Sequence, residues 1–81
     1  MMAKPKRTLA LIKWFDASYQ RGECTKDEFV TRVELESAGI LVQENADTIS
    51  IALDRYAGDD TYRHIEHIPK VNVLSVRRIV L

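Results

Sequence analysis

The run Thr48–Leu53 (TISIAL) places Ile49, Ile51 and Leu53 at every second position, directly after the polar stretch Glu44-Asn45-Ala46-Asp47. Side chains along a strand point alternately to its two faces, so this spacing sets the apolar residues on one face of a β-strand. A second apolar run, Ile40-Leu41-Val42, ends just before the polar stretch. Strand-like runs joined by a tight polar turn predict a β-hairpin. A hairpin is barely stable alone in water, so the rest of the chain must supply strands or a helix that cover it.

Arg7–Phe15 (RTLALIKWF) is apolar at nearly every position and suits a buried strand, although periodicity alone does not separate a short buried strand from a helix. Met1–Lys6 is polar and expected to fray, and Asp16–Lys26 reads as a loop. The next segment admits two structures. Thr25 and Glu28 have the spacing of a capping box, and Gly39 would end a helix over Lys26–Ala38. Against it stand the β-branched Val30, Thr31 and Val33 and the alternation Val33-Glu34-Leu35-Glu36. The reading favoured is one helical turn over Thr25–Phe29, then a strand from about Val30 to Gln43. The apolar phase changes between Leu35 and Ile40, which predicts a bulge or sharp bend at Gly39. Ala57-Gly58-Asp59-Asp60 predicts a second turn, Thr61–Ile68 a further strand broken at Pro69-Lys70-Val71, and Asn72–Leu81 a last strand. Short strands at such spacing predict a mostly β fold, a small five-stranded antiparallel barrel or sandwich, in a single domain over 1–81.

Ser37-Ala38-Gly39-Ile40-Leu41-Val42-Gln43-Glu44, Asp47-Thr48-Ile49-Ser50-Ile51-Ala52, Tyr62-Arg63 and Ile68-Pro69-Lys70-Val71, with Trp14 and Asp16, resemble a set of small phage and prophage proteins. The resemblance runs over roughly residues 8–78 and is mostly structural. It implies an SH3-like or Sm-like barrel with a short 3₁₀ turn at the Ile-Pro-Lys step, and it brings no catalytic residues.

Composition narrows the function classes. Eighty-one residues with 46% apolar and 30% charged side chains make one globular domain with a thin margin of stability. The single Cys24 forms no internal disulfide, no apolar stretch follows the first residues as in a signal peptide, and no run spans a bilayer. A cytoplasmic setting with no membrane partner is expected. Net charge is zero, yet unevenly spread. Residues 1–32 carry seven basic and four acidic groups (+3), residues 33–60 one basic and seven acidic (−6), and residues 61–81 four basic and one acidic (+3). If the chain ends pair in space they form a basic side opposite an acidic middle; the plainer alternative is solvated charge on unrelated faces.

Catalytic constellations are hard to find. His64 and His67 form a His-x-x-His pair, but on a strand an offset of three sends the rings to opposite faces. Cys24 lies between Arg21 and Lys26, which favour a thiolate, and Glu23 and Asp27, which oppose it, with no oriented histidine in view. Glu34 and Glu36 share a strand face as solvated acids do, Asp59-Asp60 suits a turn, and no phosphate-cradling glycine loop occurs. The expectation is a protein that is not an enzyme and uses no cofactor or metal.

Two functions from different classes remain. A nucleic-acid-binding barrel would join basic and aromatic residues, with Trp14, Tyr62, Arg63, Lys70, Arg77 and Arg78 the candidates and Tyr19 and Tyr56 further aromatics. Tyr62-Arg63 and Arg77-Arg78 would lie together if the last two strands pair. A protein-interaction or assembly module, as part of a homo-oligomer or with a different protein partner, would cover edge strands and the apolar Ile79-Val80-Leu81. The assembly reading is slightly favoured.

Overall fold

The computed structural model describes residues 7–18, 20–28 and 32–81. Five strands form one antiparallel sheet: β1 (Thr8–Ala17), β2 (Arg32–Glu44), β3 (Thr48–Arg55), β4 (Tyr62–Pro69) and β5 (Val73–Val80), in the order β4-β3-β2-β1-β5. The only helical elements among the described residues are 3₁₀ turns at Lys26–Glu28 and Lys70–Asn72. The mostly β expectation therefore holds, with the five strands in a single sheet. β4 and β5 are its edges and do not pair with each other, so the hydrogen-bonded ladder is not closed.

The contested segment is a strand. Arg32–Ala38 belongs to β2 and pairs residue for residue with β1, from Ala17↔Arg32 to Leu11↔Ala38. The helical tendency at Thr25 extends through one turn, closed by the Glu28 N–H donating to the Thr25 carbonyl at 2.9 Å. Phe29, Val30 and Thr31, where turn was expected to give way to strand, lie outside the described residues, as do Met1–Lys6.

The turns have the expected chemistry. Between β2 and β3, the Asn45 side-chain oxygen accepts the N–H groups of Asp47 and Thr48, each at 2.9 Å. Between β3 and β4, Asp59 Oδ1 accepts the Thr61 N–H at 2.6 Å while Gly58 takes φ 88°, a left-handed conformation that suits glycine.

The core lies on one face. Ala10, Ile12 and Trp14 of β1 meet Ile49 and Ile51 of β3 and Ile68 of β4, with Leu35, Leu41, Val73 and Val76 against them. Ile12 and Ile68 are wholly buried. A flat single-layer sheet has nothing to cover its face, so an edge-strand residue buried in this way requires the sheet to coil over itself.

One expectation needs correcting. The bulge is not at Gly39: pairing between β1 and β2 runs unbroken through Ala10↔Gly39, and the break in β2–β3 register falls between Leu41 and Gln43, which leaves Val42 as the extra residue. Leu35 and Leu41 share the core face, whereas Ile40 faces the other way beside Leu9, so no change of phase was needed to account for it. The glycine serves a close approach instead, since a Cβ at position 39 would sit 2.7 Å from the Ala52 carbonyl oxygen. The centre of β3 is buried on both faces. Ser50 and Ala52 are as buried as Ile49 and Ile51, while Leu53, next in the row of Ile49 and Ile51, is 67% exposed.

Candidate functional site

Trp14 is a core residue, 7% exposed, and its Nε1–H donates to Ser37 Oγ at 3.0 Å. It presents no free ring face on which a base would stack. The expected meeting of Tyr62-Arg63 with Arg77-Arg78 does not form either, because β4 pairs with β3 and β5 with β1, at opposite edges of the sheet. Antiparallel return to the first strand, not to the preceding one, satisfies the β5 backbone.

Most of the expected basic residues are held by acids. Arg63 donates to Asp54 Oδ2 at 3.1 Å and lies 5.7 Å from the Tyr56 ring centroid. Lys13 faces Glu34 and Glu36 at 3.9 and 4.0 Å. The chain ends do pair, as β1 with β5, yet the acidic middle neutralises them instead of standing apart. Tyr62 is half-buried at the start of β4, and Tyr19 lies outside the described residues.

The strongest of these groupings is at Glu44, at the end of β2. Its Oε2 accepts from Lys70 Nζ at 2.9 Å and its Oε1 from Arg78 Nη2 at 2.7 Å. The Lys70 N–H also donates to the Asp47 carbonyl at 2.8 Å, so the turn before β5 is tied to the β2–β3 hairpin. Hydrogen bonds from Lys70 and then Arg78 lower the Glu44 pKa below its usual 4.5. A carboxylate with a depressed folded pKa stabilises above its unfolded value and loses that contribution as pH falls through the folded one. Wild-type protein is therefore expected to lose stability below about pH 4.5 more steeply than Glu44→Gln. Because the ion pairs touch solvent, the variant is expected to lose only about 1 kcal/mol at neutral pH. Parallel pH profiles of urea midpoints would contradict this assignment.

The two histidines have different settings. His67 Nδ1 shares a 2.7 Å hydrogen bond with the buried Ser50 Oγ, on the row opposite Ile49 and Ile51. His64 has φ 55° and no β3 partner in the register. Among the described residues, no three His, Cys, Asp or Glu side chains gather at metal-ligand spacing. Ser50 is 1% exposed, so its contact with His67 satisfies a buried hydroxyl and does not present a nucleophile.

A different surface stands out. Leu9, Leu11, Ile40 and Ile79, on the sheet face opposite the core, line an open groove of about 620 Å³ with Leu53 of β3 and Arg77, its one charged lining residue. Leu11 is 40%, Ile79 55% and Leu53 67% exposed. Among the described residues Arg77 has no ion-pair partner; Arg78, one step along β5, points to the opposite face and Glu44. Sequence reasoning named Arg77 but not this groove. Its signal was in RTLALIKWF, whose apolar residues fall on both faces of β1, although only one face meets the core.

No helix among the described residues is long and apolar enough to cross a membrane, which says nothing of strands. No family model, curated protein or solved structure matches the chain.

Proposed function

We infer that this protein is a non-enzymatic protein-interaction module, which docks partners on the apolar groove beside β5. The exposed groove carries the reading: Leu53 and Ile79 are each more than half exposed next to Leu9, Leu11 and Ile40, a contiguous apolar patch of the kind that marks interaction sites. Its open wall would leave a small apolar ligand in contact with water, which favours a macromolecule that brings its own cover. The strand order and the 3₁₀ turn at Lys70–Asn72 support reading the coiled sheet as a small SH3-like or Sm-like barrel akin to the phage and prophage proteins, in a cytoplasmic setting.

The end Ile79-Val80-Leu81 is paired in its backbone, with Val80 opposite Thr8 and the Leu81 N–H donating to the Arg7 carbonyl at 2.8 Å. Its side chains are nonetheless 55 to 68% exposed, so what awaits cover is the face of β5 and not its inner edge. The alternative, a nucleic-acid-binding barrel, has less support, because Trp14 is buried and Arg63, Lys70 and Arg78 each hold a carboxylate.

Selection from a random peptide library on immobilised protein tests this function. Wild type is expected to enrich one shared pattern, and Leu53→Lys, a change at an exposed position, is expected to abolish that enrichment without altering the unfolding midpoint. No enrichment, or a pattern that survives Leu53→Lys, would contradict the groove as docking site.

A further inference from the structure

Edge strand β5 offers more than side chains. In an antiparallel ladder, directly opposed residues alternate between pairs that exchange both backbone hydrogen bonds and pairs that exchange none. The Leu81 N–H donates to the Arg7 carbonyl, which extends the register Thr8↔Val80 and fixes its phase. Leu9↔Ile79 and Leu11↔Arg77 are then hydrogen-bonded pairs. The N–H and C=O groups of Val76, Arg78 and Val80 therefore point away from β1, toward an edge where β5 has no second neighbour among the described residues.

A strand added along that edge would bond to those groups, and its side chains would alternate between the two faces of the sheet. Residues opposite Arg77 and Ile79 would fall two apart, on the groove face. They would sit in pairs that exchange no backbone bonds, where side chains come closest. Ile79 calls for an apolar neighbour and the unpaired Arg77 for a carboxylate. The other face needs no charge at Arg78, whose guanidinium is already held by Glu44 at 2.7 Å.

A second copy joined antiparallel along β5 and centred on Arg77 and Arg78 would set these residues against each other, and like charges opposed across strands are destabilising. In that register the edge disfavours its own kind, while an acidic strand meets no such repulsion.

We propose that β5 accepts an extended segment of another protein in which an apolar residue and an Asp or Glu stand two positions apart, the first against Ile79 and the second against Arg77. The proposal rests on the docking function inferred above and names the chemistry of the partner.

The test uses a pair of short synthetic peptides, alternating valine and threonine, that differ only in bearing glutamate or lysine two positions from a valine. Fluorescence anisotropy is read on wild type and Arg77→Glu. Wild type is expected to prefer the glutamate peptide by about tenfold, and Arg77→Glu to reverse the preference. Equal binding of both peptides by wild type would overturn the carboxylate partner, as would a preference that persists in Arg77→Glu. Binding of neither peptide at millimolar concentration would overturn strand addition. Library peptides that depend on Leu53 but lack an acidic residue would also overturn it, while leaving the groove as a docking site. Stronger binding of a single-stranded oligonucleotide than of either peptide, lost in Arg77→Glu, would assign the cation to phosphate and overturn the proposal.

Discussion

Trp14→Ala is expected to destabilise the fold by about 3–5 kcal/mol, the range for truncating a large buried aromatic. Trp14 is 7% exposed and sits among Ala10, Ile12, Ile49, Ile51 and Ile68 in the core cluster. The substitution opens a cavity and leaves Ser37 Oγ without the indole N–H it accepts at 3.0 Å. Domains are commonly stable by about 5–15 kcal/mol, and a chain of 81 residues belongs near the lower end, so a large share of the variant should be unfolded at 25 °C. Urea unfolding followed by far-ultraviolet circular dichroism measures it. Trp14→Phe retains most of the apolar volume and should fall between the two. An unfolding midpoint unchanged by Trp14→Ala would remove Trp14 from the core and reopen its role as a stacking platform.

The second large effect is expected at Gly39. A Cβ built there lies 2.7 Å from the Ala52 carbonyl oxygen and 3.3 Å from Ile51 Cβ, and both neighbours belong to the buried centre of β3. Backbone cannot yield as a flexible side chain does. Gly39→Ala is therefore expected to destabilise by about 1–3 kcal/mol through forced separation of the strands, and Gly39→Val by more. The same shift would move Ile40 of β2 relative to Leu53 of β3, both of which line the groove. Peptides selected on wild type should lose affinity for Gly39→Ala even where the variant remains folded. Unfolding midpoints equal to wild type for both variants would show that β2 and β3 do not approach closely at this point.

Much of the fold could be read from local pattern. The Asn45 turn, the β2–β3 hairpin, the single turn after Thr25 and the break after Pro69 each follow from a few adjacent residues whose backbone preferences agree. Partnership between distant strands could not be read this way. Nothing local in Val73–Val80 states that it returns to β1 and not to β4, so Arg63 and Arg77 were brought together on a pairing that does not form. The fate of individual charges is equally non-local: Lys70 and Arg78 meet over Glu44, which lies 26 and 34 positions before them in the chain.

Ile40 shows the other difficulty. An apolar residue out of step with Leu35 reads as a bulge only if every apolar residue must face the core. Here Leu9, Leu11, Ile40 and Ile79 face away from it, and what looked like a shift of register is a second apolar surface. That surface, missing from the expected site, is where the functional inference now rests. Among the six expected site residues only Arg77 belongs to it.

The most direct measurement is a ¹⁵N NMR titration of the protein with a peptide from the library selection, mapped onto the assigned backbone. The account predicts shifts at the amides of Val76, Arg78 and Val80 and at groove residues Leu9, Leu11 and Leu53, with the β4 amides from Tyr62 to Ile68 unmoved. Shifts gathered instead on Arg32 and Phe15, where a guanidinium lies 3.8 Å from a ring centroid, or around Tyr56 and Arg63, would contradict it and place the interaction surface elsewhere on the sheet.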